Sequence, residues 1–212
     1  GFVTWYGDAG LTGAGARRAM LDTTTTLVLS IHVFTCRPVV VVGLAKGTAA
    51  RGALERRLRS AMPAARFPRL RLVLIEPMRI SRHFPGDFHS YKLQAILASG
   101  LAAGGVYIVS DAVVTPFASR LFEMLEVVRA DALPLLPLHP CDPQNWAPLL
   151  RHLARSELHA APSTPSTPYL HADLIVFPAG SLGWLHETLQ LLVAGRLPSH
   201  PASRAPLPPP AA

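Results

Sequence analysis

The stretch from residue 90 to residue 116, SYKLQAILASGLAAGGVYIVSDAVVTP, constrains the fold more than any other part of the sequence. Its first half predicts an amphipathic helix, because apolar residues recur at spacings of three, four and eight, at Leu93, Ile96, Leu97 and Leu101. Ser90 is the predicted N-cap, and the pair Gly104-Gly105 is the predicted stop. A tight turn between this helix and the next segment of the chain is therefore expected at these glycines.

The second half of the stretch predicts a buried strand that ends in a carboxylate. Residues 106–109 form a short apolar run, which is typical of a strand covered on both faces. Ser110 and Asp111 are the first polar residues after it, and Pro116 opens the next predicted helix. Ligands of open α/β sheets bind beyond the carboxyl ends of the strands, so Asp111 stands where a ligand would be met.

Similar units fill most of the chain. Strands are predicted at residues 38–44, 70–76, 132–138 and 169–177, the third confined to an edge by its two prolines. Helices are predicted over 16–34 in its first part, 48–62, 117–128, 145–158 and 181–194, and residues 2–6 are expected to be extended. The order predicts an α/β fold, a mostly parallel sheet with helices on both faces, in which 39–42, 72–75, 106–109 and 174–176 share one sheet and 106–109 is central.

Length and composition set the domain organisation. Residues 1–197 are predicted to be a single domain, and the Pro-rich residues 198–212 a disordered tail. Half of the residues are hydrophobic and 16% are charged, which excludes a disordered chain, and the longest apolar runs are too short to cross a bilayer. The chain begins with Gly1 and not Met, so a processed chain and a fragment of a longer one both remain open.

The charge balance favours an anionic ligand. The formal net charge is +7 and the sequence pI is about 10.2, which fits nucleic acid, a phosphorylated substrate or a membrane surface. The arginines are scattered and not interleaved with aromatic residues, so we expect no nucleic-acid partner.

Other candidate sites carry weaker patterns. Cys36 and Cys141 leave open one disulfide or two buried free thiols. His83, Asp87 and His89 match the spacing of no closed zinc site, so a solvated loop is favoured there. The glycine-rich residues 10–15 lack the spacing of a dinucleotide or P-loop fingerprint, and the sequence holds no Gly-x-Ser-x-Gly elbow.

A family resemblance rests on the same stretch. Tyr91-Lys92-Leu93, the apolar strand and Asp111 resemble the donor-site segment of GT-A-fold glycosyltransferases, the glycogenin-like and related nucleotide-sugar transferases. In that segment an apolar strand ends in Asp-x-Asp. Asp111 matches the second Asp of the motif, whereas the first falls on Val109, which cannot ligate a metal.

Two further segments extend the resemblance over about residues 25–195. The sequence YLHADLIVFP at 169–178 resembles the family's Phe-Asn-Ala-Gly strand, with the Asn at His171 and the Gly at Asp173. Leu29-Ser30-Ile31, followed by Arg37-Pro38 and the valine run, resembles the family's early helix end and second strand.

The resemblance implies a transferase site with named residues. It implies a divalent cation, Mn or Mg, at Asp111 and His171, because a departing nucleoside diphosphate needs positive charge at its phosphates. It implies that Lys92, Ser110 and Asp111 bind the nucleotide-sugar donor and that Asp173 and His171 serve catalysis. The acceptor would be a glycan, a protein or a small molecule, and the secretory pathway or the Golgi lumen is a compatible compartment.

Each of these residues has a plainer interpretation. A lone Asp after a strand often caps a turn or a helix, and a Lys early in a helix is ordinarily exposed to solvent. His171 on an apolar strand is more often a satisfied core histidine, although Asp173 would share its face. Because Val109 replaces the first Asp, the alternative is a non-catalytic GT-A-like domain that has lost metal-dependent transfer.

Overall fold

The computed structural model describes residues 1–7, 13–79, 88–127, 138–139, 169–170 and 173–194. These residues form the strands β1 (Phe2–Gly7), β2 (Val39–Leu44), β3 (Leu70–Ile75), β4 (Gly104–Ile108), β5 (Leu138–His139), β6 (Tyr169–Leu170) and β7 (Leu174–Pro178). The helices are α1 (Ala14–Phe34), α2 (Thr48–Ala61), α3 (Phe88–Ala98), α4 (Arg120–Val127) and α5 (Ser181–Ala194). None of the helices within these ranges has the length and apolar character needed to cross a membrane.

The main sheet has five strands in the order β3-β2-β1-β4-β7. Strands β3, β2, β1 and β4 are parallel, and β7 pairs with β4 in the antiparallel direction. The predicted α/β class and the mostly parallel sheet are therefore confirmed, and the four predicted strands do share one sheet.

The middle of the sheet differs from the prediction. β4 lies inside the sheet but β1 is its middle strand, and β4 ends at Ile108, one residue before the predicted end. Every residue of β1 is buried in this position: Phe2 and Tyr6 face one layer, while Val3 and Trp5 face the other. A strand that is apolar on both faces is best placed between two neighbours.

Helices cover both faces of the sheet, as predicted. One core joins Phe2 and Tyr6 of β1 to Leu27 of α1, Leu58 of α2 and Phe122 of α4. The other core joins β1 to α3 and α5 through a separate set of side chains, which includes Val3, Trp5, Tyr91, Ile96, Tyr107 and Leu185. The carboxyl ends of the parallel strands are left as the edge at which loops and helix starts gather.

The predicted strand at 169–177 is two strands. Tyr169–Leu170 pairs with Leu138–His139 in a separate two-stranded sheet, while Leu174–Pro178 pairs with β4. The pairing with β4 starts at Asp173, whose carbonyl oxygen accepts a hydrogen bond of 2.8 Å from the Val109 amide. Of the predicted edge strand at 132–138, the structure describes only the last residue, in β5.

Three helix boundaries also differ from the prediction. α1 runs unbroken to Phe34, and the Thr24, Thr25 and Thr26 hydroxyls each donate to the carbonyl four residues earlier. α3 begins at Phe88, so the predicted cap Ser90 is a buried residue inside the helix. The helix predicted at 117–128 is a 3-10 turn, Pro116–Ser119, followed by α4. The prediction for 181–194 is confirmed without change.

Several predicted features lie outside the described residues: the loop with His83 and Asp87, the helix at 145–158, Cys141, His171 and the tail at 198–212. Cys36 is an exposed thiol and not the buried one that the sequence left open.

Candidate active site

The site begins where β4 ends. The next residues, Val109, Ser110 and Asp111, form a turn that the Ala112 amide closes by donating to the Val109 carbonyl at 3.2 Å. Val109 is half-buried, Ser110 is buried, and Asp111 is exposed. Because the Val109 amide also donates to the carbonyl of Asp173, the end of β4 and the residue that precedes β7 are held side by side.

A buried serine fixes the loop that follows. The Ser30 hydroxyl donates to the Leu27 carbonyl at 2.7 Å and accepts a hydrogen bond of 3.0 Å from the Val114 amide. A buried backbone amide without a partner is costly, so this bond ties residues 111–114 to α1. From the sequence, Ser30 is named only as part of the family resemblance, and no structural role is predicted for it.

Lys92 and Asp173 form the core of the site. The Lys92 ammonium lies 2.8 Å from Asp173 Oδ1, and 9% of the Lys92 side chain is exposed against 42% of the Asp173 side chain. Lys92 is therefore not the solvated lysine that its place early in a helix suggested. The pair joins α3 to the start of β7, and the half-exposed carboxylate leaves the pair open to a ligand from one side.

The packing of α3 explains the burial of Lys92. The helix packs on the sheet and against α5, and Tyr91 packs edge-on against Trp5 of β1, with ring centroids 5.3 Å apart. Gln94 is buried and clamps the segment after β3, since its side-chain oxygen accepts from the Met78 amide at 2.7 Å. These contacts fix the start of α3, and with it the direction of the Lys92 side chain.

Tyr107 of β4 lies beneath the two carboxylates. Burial raises the pKa of its phenol above the ordinary range, the neighbouring Trp5 side chain lowers it in part, and the charges of Asp173 and Asp111 raise it further. The phenol therefore stays protonated.

An apolar cavity of about 390 Å³ adjoins the pair. It lies between the ends of β4 and β7 and the segment leading into α4, with Val109, Ala112, Val114, Leu121, Asp173 and Leu174 among its lining residues. A volume of this size falls in the range of small-molecule sites, which are mostly apolar with a few polar groups. Asp173 is the charged group here.

The described residues do not form a divalent-cation site. A hard cation needs several oxygen ligands, whereas Val109 offers none and Asp173 Oδ1 is already bonded to an ammonium. Within the described part of the chain, no three His, Cys, Asp or Glu side chains lie together so as to hold a metal ion. Metal binding by Asp111 with His171 stays a prediction, because His171 lies outside the described residues.

The structure thus brings four of the five predicted site residues to one sheet edge. Lys92 bonds Asp173, and Ser110 and Asp111 follow β4 directly beside them. Gln94 and Tyr107 were not among the residues predicted for the site. A polar residue at a buried helix position was the available signal for Gln94, whereas nothing in the apolar run marked the Tyr107 hydroxyl.

No protein-family model matches the chain, and no curated protein matches it. Solved structures do. The apo structure of the WbbM bifunctional glycosyltransferase has a TM-score of 0.58 at 15% identity, over 92% of this chain and 34% of that one. Mouse xyloside xylosyltransferase 1, also apo, has a TM-score of 0.57 at 8% identity, over 92% of this chain and 72% of that one.

The galactosyltransferase LgtC, in complex with donor and acceptor sugar analogs, has a TM-score of 0.54 at 13% identity, over 97% of this chain and 66% of that one. The chain thus spans about a third of the length of WbbM and about two thirds of that of LgtC. At such low identities the likeness shows the fold. Together with the sheet order, it establishes that this chain has the GT-A fold of nucleotide-sugar glycosyltransferases.

Proposed function

We propose that the chain is a glycosyltransferase that moves a sugar from a nucleoside-diphosphate donor to a glycan, protein or small-molecule acceptor. The observation that carries the proposal is the 2.8 Å bond between the Lys92 ammonium and Asp173 Oδ1 at the carboxyl edge of the sheet. In a fold of this type that edge is where ligands bind. The structural likeness to LgtC, which was solved in complex with donor and acceptor sugar analogs, supports a sugar donor and an acceptor as the kinds of ligand that this fold binds.

The chemistry of transfer assigns a task to each residue. The bond between the anomeric carbon and the phosphate oxygen breaks, the acceptor oxygen bonds that carbon, and the acceptor hydroxyl loses its proton. Negative charge develops on the leaving diphosphate, where a preorganised cation stabilises it. Lys92 is the cation within the described site, and Asp173 is accessible enough to accept a hydrogen bond from the acceptor hydroxyl. Ser110 and Asp111 would contact the donor at the end of β4.

The alternative function is a non-catalytic domain that keeps the fold and binds a ligand without transferring sugar. Val109 in place of the first motif Asp favours this alternative, because the carboxylate pair that would hold a cation is incomplete.

Donor hydrolysis and transfer separate the two functions. Purified protein is incubated with UDP-, GDP- and CDP-sugars, and the release of free nucleoside diphosphate is followed. The first function predicts release by the wild type and its loss in Lys92→Met and Asp173→Asn. Arg59→Gln serves as the matched control, since Arg59 pairs with Glu55 on the exposed face of α2.

Two results would contradict transfer. Nucleotide binding without any release of diphosphate would favour the non-catalytic domain. Release that persists in both site variants at the wild-type rate would remove Lys92 and Asp173 from the site.

A further inference from the structure

The cation bonded to Asp173, which lines the cavity, is the Lys92 ammonium. We propose that Lys92, held on Asp173, takes the place that a divalent cation is expected to fill in this fold, so that a nucleoside diphosphate binds here without metal. The proposal rests on the proposed function, because it concerns the donor of that same site. It follows from the donor atoms present, from the burial of Lys92 and from its bond to the one carboxylate that also lines the cavity.

The side chains that could ligate a metal among the described residues favour an ammonium over a divalent ion. The first position of the metal motif is Val109, a hydrocarbon side chain that cannot coordinate. The second, Asp111, is exposed, and a single exposed carboxylate holds Mg²⁺ or Mn²⁺ weakly. Asp173, the other described carboxylate beside the end of β4, already binds Lys92 through Oδ1. A metal ion would have to displace that ammonium or approach it against charge repulsion.

Burial makes the ammonium effective. A cation with 9% of its side chain exposed is shielded from water and salt, so its attraction for a nearby anion exceeds that of a surface lysine. Two contacts hold the start of α3 in place: the ring packing of Tyr91 against Trp5, and the hydrogen bond from the Met78 amide to the Gln94 side chain. Lys92 is therefore preorganised before any ligand arrives.

Nucleotide titrations test the proposal directly. UDP, GDP and CDP are titrated calorimetrically into the wild type, once with EDTA and once with Mn²⁺. We expect the dissociation constant of the tightest nucleotide to be the same in both. Lys92→Met keeps the apolar stem and removes the charge, and should weaken binding in EDTA by about tenfold. Arg59→Gln, which removes a surface charge on α2, should leave the dissociation constant unchanged.

Metal titrations give a second readout that needs no nucleotide. Mn²⁺ is titrated into the wild type, Lys92→Met and Asp111→Asn, with binding followed by electron paramagnetic resonance and folding by circular dichroism. Removal of the ammonium uncovers Asp173 beside Asp111, so Lys92→Met should bind Mn²⁺ more tightly than the wild type. Tight Mn²⁺ binding by the wild type that disappears in Asp111→Asn overturns the proposal.

The outcomes separate this proposal from the proposed function. If the nucleotide binds only with Mn²⁺, the chain remains a candidate transferase and Lys92 is not its substitute cation. If no nucleotide binds under either condition, the proposed function fails, and the metal titration still decides the cation preference of the site. If Lys92→Met does not fold, the two wild-type titrations alone carry the decision.

Discussion

Tyr107 is a phenol kept neutral by its surroundings. Its side chain is fully buried, and two carboxylates add to the burial in raising its pKa. An unfolded tyrosine ionises near pH 10, whereas the folded protein still holds the proton there, so the unfolded state binds fewer protons above that pH. The contribution of Tyr107 to stability is therefore complete below about pH 10 and is lost as the pH rises further.

We expect Tyr107→Phe to remove this part of the alkaline loss. The measurement is the free energy of urea unfolding for wild type and variant between neutral pH and strongly alkaline pH. The wild type should lose stability more steeply above about pH 10 than the variant does. Parallel curves would mean that the phenol ionises in the folded protein.

Val109 sits where a second motif carboxylate would stand. It is half-buried at the rim of the cavity, so Val109→Asp should fold, with a loss of about 1–3 kcal/mol for a partly buried charge. The variant places two carboxylates one residue apart at the end of β4, and we expect it to bind Mn²⁺ more tightly than the wild type. Val109→Asn is the uncharged control. A folded Val109→Asp variant without added Mn²⁺ affinity would show that position 109 is not the first motif position.

The positions of the candidate residues in the fold were easier to predict from the sequence than their environment. Asp111 was placed correctly at a strand end, because apolar runs that end in polar residues have a simple meaning in a parallel sheet. The burial of Lys92 was not predictable from its neighbours. Lys92 is bonded to Asp173, which lies 81 residues further along the sequence, and its helix packs against the sheet and α5.

At the scale of elements, the junction between β4 and β7 depends on one glycine. Gly104 has a φ of +88°, and a Cβ there would lie 2.5 Å from the Phe177 carbonyl oxygen. Both the backbone conformation and the contact exclude a side chain, and the contact is with backbone that cannot turn away.

Gly104→Ala should therefore lower the free energy of unfolding by about 2–4 kcal/mol, through left-handed strain and a displaced edge strand. Gly183→Ala is the matched control in α5, where a Cβ meets nothing within 4 Å. It should raise stability by up to about 1 kcal/mol, because Ala favours a helix over Gly. Chemical unfolding of both variants is the measurement, and equal effects of the same sign would contradict the role given to Gly104.

The threonines of α1 offer a second comparison of this kind. Thr24 is buried and its hydroxyl bonds the Met20 carbonyl, whereas Thr26 is exposed and bonds the Asp22 carbonyl. Thr26→Ala should stabilise the protein by about 0.5 kcal/mol, since only helix propensity changes. Thr24→Ala should cost about 1 kcal/mol, because a packed methyl group is lost. Thermal unfolding distinguishes the two signs.

At these threonines and at β1 the structure differs from what the local sequence pattern predicts. Helix propensity argued against α1 beyond its first part, but hydrogen bonds within the helix and burial of one face outweigh a few tenths of a kcal/mol per residue. Residues 2–6 were recognised as extended, yet strand order in a sheet is set by contacts between distant segments. The local sequence pattern of a strand does not specify its place in that order.

At the scale of the whole molecule, the main sheet of the described residues is covered by helices on both faces. The Pro-rich residues 198–212 offer no apolar periodicity, and prolines cannot continue a helix or pair in a sheet. Truncation before Pro198 should therefore leave the melting temperature nearly unchanged in differential scanning calorimetry. A loss of about 2–4 °C or more would correspond to ~1 kcal/mol and would show that the tail packs on the domain.

The position of β1 in the sheet has a consequence for biosynthesis. This strand is made before its neighbours, yet Phe2 pairs with Val39 on one side and with Val106 on the other. While the chain between them is still being translated, the hydrogen-bonding edge of β1 that will pair with β4 has no partner strand. Late pairing of this kind slows folding and exposes a surface on which nascent chains associate. Newly made protein should therefore depend on chaperones until β4 has emerged and docked.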